Sequence, residues 1–273
     1  MRGITLAVWL AMAFLGLPRF LAADTLDDLI AAALEGDERR LEAATTAAMV
    51  DKEFPLPKAC AKAGELCARF AEAESDKKQQ DNIMRAIRTV LTVTVDKSGD
   101  KEIPEVVPRL IEVVDQGNAQ GNLQVEAALS NLTVHGFADA DFKAEGKAFD
   151  SWADHKWMWT KWWGQNGTKP QKARIMGGFE RMGVKLDFGN GDDEALDRMM
   201  QTLINALAHE QIYIRANAYR LLRGGCFGWL ETPWGFDAEA PQASRQKAVE
   251  EARKLYADNK QAVFDSLRGK GRK

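Results

Sequence analysis

Residues suited to metal and redox chemistry are scarce: the 273-residue chain has three Cys and three His, with eight Pro. Cys60, Cys67 and Cys226 form no CxxC and no CxxCH, which excludes a zinc ribbon, a redox pair and covalent haem attachment. Cys60 and Cys67 sit seven residues apart in a helical pattern, ~10.5 Å along the axis. A disulfide needs Cα atoms within ~7 Å, so these thiols are expected as buried, unpaired small apolar groups. Cys226 lies in Gly224-Gly225-Cys226-Phe227-Gly228, where the glycines are read as a helix C-terminus running into turn positions. His135, His155 and His209 fall in separate segments with no HxxxH or HExxH, so no metal-binding helix is indicated. Also missing are a GxSxG elbow, a GxGxxG fingerprint and a P-loop. No catalytic residue, cofactor or metal ligand is therefore singled out.

A broad positive field is missing as well. The chain has 37 basic and 40 acidic side chains, the opposite of what counterion release from nucleic acid requires. The basic end (Arg268, Lys270, Arg272, Lys273) is short enough to be a solvated tail. Long apolar runs are confined to the start: Arg2 precedes Ile4–Leu17, Pro18 breaks the run, and Ala22-Ala23 precede Asp24. That order predicts a secretory signal peptide over residues 1–23 and a mature chain of 24–273, with no membrane span after cleavage. Cleavage removes Arg2 and Arg19 and no acid, leaving a mildly acidic mature chain that is secreted or periplasmic.

What fills the chain is helix after helix. Apolar residues recur at three and four positions over Asp24–Leu34, Asp37–Val50, Lys58–Glu74, Asp81–Val95, Glu105–Val114 and Asn122–Val134. The pattern resumes over Phe149–Gln165, Lys169–Met182, Asp192–Ala208, Gln211–Arg223, Gln242–Ala257 and Lys260–Leu267. Leu91–Val95 is β-branched enough for a strand but has no partner of similar quality. Two irregular stretches, Gly136–Lys147 and Gly224–Pro241, interrupt the series. The spacing predicts an all-α chain of short antiparallel helix pairs.

An internal repeat supports that prediction. Ile214-Arg215 with Ala218, Leu221 and Leu222 follows the apolar helix Leu196–Leu207. Leu123-Gln124 with Ala127 and Leu132 follows Val106–Val114. Further on, Trp159, Trp162, Trp163 and Asn166 align with Ala252, Leu255, Tyr256 and Asn259. Ile214, Arg215, Ala218 and Leu221 reproduce aliphatic-Arg-x-x-Ala-x-x-aliphatic, and the segment resembles the second helix of the HEAT-repeat (armadillo-like) family. The whole resembles secreted bacterial HEAT-like proteins in which a repeat helix is followed by a loop and a WxxWWxxN helix. The resemblance implies a HEAT-like α-solenoid, a single repeat domain with two loop insertions, and binding rather than catalysis. Residues 24–100 show helix-pair spacing without the motif, and Gln124 replaces the Arg.

Trp152, Trp157, Trp159, Trp162 and Trp163 crowd one helix, out of eight Trp in all. Trp159 and Trp163 are expected inside, since Ala252 and Tyr256 keep that stripe apolar, and Asn166 is read as a structural position of the repeat. Trp152, Trp157 and Trp162, with His155, form the candidate binding surface, and Trp157 should be the most exposed. Asp96–Ile103 places oxygens at alternate residues like a calcium loop, but Lys101 and Val107 stand where Gly and Glu are required, so turn chemistry is expected. Asp187, Asn190, Asp192 and Asp193 read as a turn feeding a helix N-terminus. The expected function is a scaffold for an unidentified protein or peptide. The alternative is a carbohydrate-binding protein or carbohydrate-active hydrolase with the Trp helix as its platform.

Overall fold

The computed structural model describes residues 24–73, 75–98, 103–186, 192–227 and 235–268, with backbone alone for 224–226. Among the described residues there are twelve α-helices and no strand. In chain order they are α1 (Thr25–Glu35), α2 (Glu38–Val50), α3 (Leu56–Glu72), α4 (Lys77–Lys97), α5 (Ile103–Val113) and α6 (Ala119–Thr133). There follow α7 (Asp139–Ala144), α8 (Trp152–Asn166), α9 (Gln171–Arg181), α10 (Asp193–Ala206), α11 (Ile212–Leu221) and α12 (Gln242–Leu267).

Helix starts follow from short polar side chains that accept from otherwise orphaned amides. Asp37 accepts from the Arg39 and Arg40 amides, Asp76 from Gln79, Asn118 from Gly121, Ser151 from Asp154 and Asp192 from Ala195. The last of these accounts for the expected turn chemistry at Asp192; Asp187 and Asn190 lie outside the described residues. So do the signal segment 1–23, residues 99–102 of the calcium-like loop, and the Cys226 side chain. The β-branched Leu91–Val95 is helical: Leu91, Val93, Thr94 and Val95 are buried, and the Thr94 hydroxyl donates to the Val90 carbonyl. Packing overrides local propensity there.

Helices α1 to α6 and the ring of Trp159 enclose one continuous core. Val134 and helices α9 to α12 enclose a second. In the first, α1 packs on α2, α3 on α4 and α5 on α6, while α3 also meets α5 and α4 meets α6. The second joins it where α6 meets α11 and α9. Helix α8 lies against α5, as α12 lies against α10. Thus α5, α6 and α8 have the same neighbour relations as α10, α11 and α12.

Side chains sharpen that correspondence and correct its register. Asn166 Nδ2 donates to the Trp162 carbonyl at 2.8 Å, and Asn259 Nδ2 donates to the Leu255 carbonyl at 2.9 Å. Between α6 and α11, however, burial overturns the alignment expected from sequence. Ile214 and Ala218 are fully buried, whereas their expected counterparts Leu123 and Ala127 face outward, Leu123 at 52% exposure. Val125, Ala128, Leu129 and Thr133 instead match Ile214, Asn217, Ala218 and Leu222, a shift of two residues. Leu132 is buried and Leu221 half-buried. One other boundary differs: the first irregular stretch contains α7. The final pair of expected helices is present within α12, the two meeting at a kink at Asn259, whose φ and ψ of −123° and 16° are not helical.

The junction of the cores is tight. Val134 ends α6 at φ 52°, a left-handed conformation that a β-branched residue rarely adopts. Opposite it, a Cβ at Gly178 of α9 would lie 1.8 Å from the Val134 carbonyl oxygen. The turn at Val134 delivers His135 and Phe137 onto α8.

Candidate functional site

The rings around α8 pack on one another. Phe137 meets Trp159 edge-on at 5.1 Å and Phe142 at 6.0 Å. His135 stacks on Trp162 at 4.5 Å and 18°, and Trp152 lies 4.6 Å from His155. Trp159 is fully buried. Trp152, Trp162 and Trp163 are half-buried, with the Arg174 guanidinium over Trp163, so Trp163 is less enclosed than its stripe implies. Trp157 is the exposed one at 39%, and the ammonium groups of Lys147 and Lys161 sit over its ring at 4.7 and 5.1 Å.

His155 leaves the candidate surface altogether, at 4% exposure. Phe142 of α7 and Phe149 close over it, 4.5 and 5.4 Å away. Its Nδ1 lies 2.9 Å from Glu126 Oε1 and its Nε2 2.8 Å from the Phe149 carbonyl. Both neighbours are acceptors, so the protonated ring can donate to both at once. Burial works against the charge and is the largest influence. The Glu126 bond, the Phe149 carbonyl and the charges of Glu126 and Asp154 together outweigh it and hold the pKa above the ordinary value. The same Glu126 oxygen accepts from Trp159 Nε1 at 3.1 Å, tying α8 to α6 twice.

His135 is the electrostatic opposite. Burial and the nearby Arg181 push its pKa down to about 3, against Asp141, which raises it, so the ring is neutral. Its Nε2 is buried with no hydrogen-bond partner. His209 sits apart, accepting from the Gln211 amide. Cys60 and Cys67 are unpaired and buried, with thiols pushed up to about 12 by burial. Among the described residues no three His, Cys, Asp or Glu are grouped to hold a metal.

Arg215 occupies the first turn of α11 and is buried. Its Nη1 donates to the His209 and Glu210 carbonyls at 2.7 and 2.6 Å, and its Nε and Nη2 donate to the Ala238 carbonyl at 2.9 and 2.7 Å. Two of the four bonds close the turn before α11, and two tie the helix start to the segment before α12. This role is structural: the guanidinium collects carbonyls on both sides and presents nothing outward.

The open surface lies elsewhere, on the face formed by α2, α4, α6 and α11. Arg88, Thr92 and Asp96 form an exposed stripe at four-residue spacing on α4. A cavity of about 590 Å³ lies between α2 and α4, and one of about 220 Å³ among α4, α6 and α11. Arg88 and Thr92 line both, so the two lie on either side of the exposed α4 crest and adjoin there as one grooved face. Ala127 lines it too, which explains why an apolar residue of α6 faces outward. At the far end, Arg220 Nη2 lies 3.7 Å from Asp96 Oδ1, and Arg220 Nη1 donates to the Asn131 carbonyl at 3.3 Å. Burial between the helices raises the Asp96 pKa, with Arg220 and Arg223 opposing it. Asn131 Oδ1 is buried there without a partner.

No protein-family profile, curated protein or solved structure matches the chain significantly. The groove was not foreseen from sequence, because its residues come from four helices and carry no motif. Ala127, apolar on a face where charge is expected, was its one sequence signal.

Proposed function

We propose that the chain is a HEAT-like α-solenoid that binds an extended peptide or protein segment along the groove of α2, α4, α6 and α11, and that it acts outside the cytoplasm after removal of residues 1–23. The observation that carries the reading is the groove itself: two cavities sharing Arg88 and Thr92, with buried Leu91 and Val93 in their walls and polar groups at the rim. Mixed apolar and hydrogen-bonding walls suit a peptide, whose side chains and backbone need both. The solenoid assignment draws on the stacking of α3 on α5, α4 on α6 and α6 on α11, and on the recurrence of the α5–α6–α8 relations in α10–α11–α12. The export assignment draws on the order of charged, apolar and small residues at the start. Among the described residues no helix is long and apolar enough to cross a membrane.

The carbohydrate platform has less to draw on. Its rings face one another, His155 is enclosed, and the exposed Trp157 face is covered by two lysines. Selection of displayed random dodecapeptides on the immobilised protein tests the groove. Binders are expected, and Ala127→Trp, which fills the groove from an exposed position, should abolish their binding without changing the fold. Absence of binders, or binders indifferent to Ala127→Trp, contradicts the reading.

A further inference from the structure

We infer that Arg88 reads a carboxylate, and that the groove's partner is an extended peptide carrying one acidic side chain among uncharged or apolar neighbours. This rests on the peptide-binding reading of the groove and names what the groove selects.

Arg88 stands where the two cavities meet. Its Nε donates to Gln124 Oε1 at 3.3 Å, which fixes the plane of the guanidinium from α6. Among the described residues no carboxylate pairs with it and no acceptor takes its Nη groups. An arginine anchored at Nε, with both Nη groups open, can receive an incoming carboxylate through its fork. The other cations nearby differ in one respect each. Arg85 is paired with Glu38 at 2.8 Å, and Arg220 is engaged by Asp96, the Asn131 carbonyl and Asn217. Arg39 is unpaired but makes no side-chain bond that would fix its direction.

The same lining limits the partner's charge. Glu42 borders the α2–α4 cavity and Glu239 the α4–α6–α11 cavity, both without ion pairs, and Asp96 closes one end. A dense polyanion such as nucleic acid meets repulsion on both sides of Arg88, whereas a single carboxylate meets only the guanidinium. From Arg88 to Asp96 is about 12 Å along α4, which an extended chain covers in about four residues. Next to the acid, the peptide passes Thr92, Ala127 and Ala128, which suit small or apolar side chains and offer a hydroxyl to the backbone.

The test starts from dodecapeptides whose binding Ala127→Trp abolishes, that is, ligands of the groove. Asp or Glu should be enriched at one position over the starting pool. Replacing that acid by its amide should weaken binding to the wild type on the order of tenfold, the scale of a lost charge-assisted pair. In Arg88→Gln the acid-to-amide change should have no effect. Arg88→Lys, which keeps the charge and loses the fork, should restore only part of the discrimination. Arg109→Gln, on α5 and away from the groove, should behave as wild type. Thermal unfolding checks that each variant is folded, as expected for an exposed position. Groove-dependent peptides without an enriched acid, or an acid-to-amide loss as large in Arg88→Gln as in wild type, overturn the inference while leaving the groove standing. If no peptide depends on the groove, the functional reading falls first and this inference with it.

Discussion

The His155 ring bridges from Glu126 Oε1, 2.9 Å from Nδ1, to the Phe149 carbonyl, 2.8 Å from Nε2. It thereby fastens α8 and the turn before it to α6. Trp159 Nε1 shares the same carboxylate oxygen, so Glu126 holds an imidazole and an indole at once. Glu126→Ala leaves the buried Nδ1 of His155 and the indole N–H without their shared partner, and should cost about 3 kcal/mol, the low end for breaking a buried pair. Glu126→Gln keeps an acceptor oxygen and should cost less. Urea unfolding of the two variants gives the comparison. Equal losses would place the energy in packing rather than in the charge.

The two histidines of the cluster give pH dependences of opposite sign. His155 is raised in the fold, so its contribution is complete below the unfolded value of ~6.5 and fades as pH rises through the folded value. His135 is depressed to about 3, so its contribution is complete above ~6.5 and is lost as pH falls toward 3. His155→Gln should therefore flatten the alkaline decline in stability, and His135→Phe the acid decline between roughly pH 6 and 4. Melting temperatures across both the acid and the alkaline range, taken as differences from wild type, check both signs. A His135→Phe profile parallel to wild type would mean that the ring protonates as freely in the fold as outside it.

Trp157 and Trp159 are two positions apart and energetically far apart. Trp159→Ala removes a fully buried indole and should cost ~3–5 kcal/mol. Trp157→Ala removes an exposed ring contacted by Lys147 and Lys161, worth about 0.5–1 kcal/mol at such a site. Chemical denaturation separates the two. Similar losses would contradict the inward arrangement of the cluster.

Arg215→Ala should cost about 1–3 kcal/mol, because the carbonyls of His209, Glu210 and Ala238 lose a charged donor. Arg215→Lys should recover little of it, since one ammonium cannot reach carbonyls on both sides of a planar fork. Full recovery by Lys would reduce the residue's role to charge alone.

The helical class and most helix positions were legible because periodic apolar residues and acidic N-caps act within a few residues of each other. Asp37 and Asp192 cap helices beside runs whose buried stripe is visible in the letters, whereas the caps at Asp76 and Ser151 fall away from the starts expected at Asp81 and Phe149. Register between α6 and α11 was not legible, because Leu123 and Ala127 are apolar yet exposed, and periodicity alone offers that face as core. The burial of His155 was hidden for a different reason: α7 and Phe149 fold over it, and neither carries a sequence signal tied to α8. The groove combines Arg88, Gln124 and Arg220 from three helices, a proximity that only the packing of α4, α6 and α11 creates.

The central claim is that ligand binds at the α4–α6 groove rather than on the α8 rings. Amide and indole NMR spectra, recorded during titration with a selected dodecapeptide and separately with cellohexaose, place the bound ligand most directly. Peptide-induced shifts are expected at Thr92, Ala127 and Asn131, with the Trp157 indole unmoved by either ligand. Shifts of the Trp152, Trp157 and Trp162 indoles on adding cellohexaose, with the groove amides unchanged by peptide, would contradict the claim.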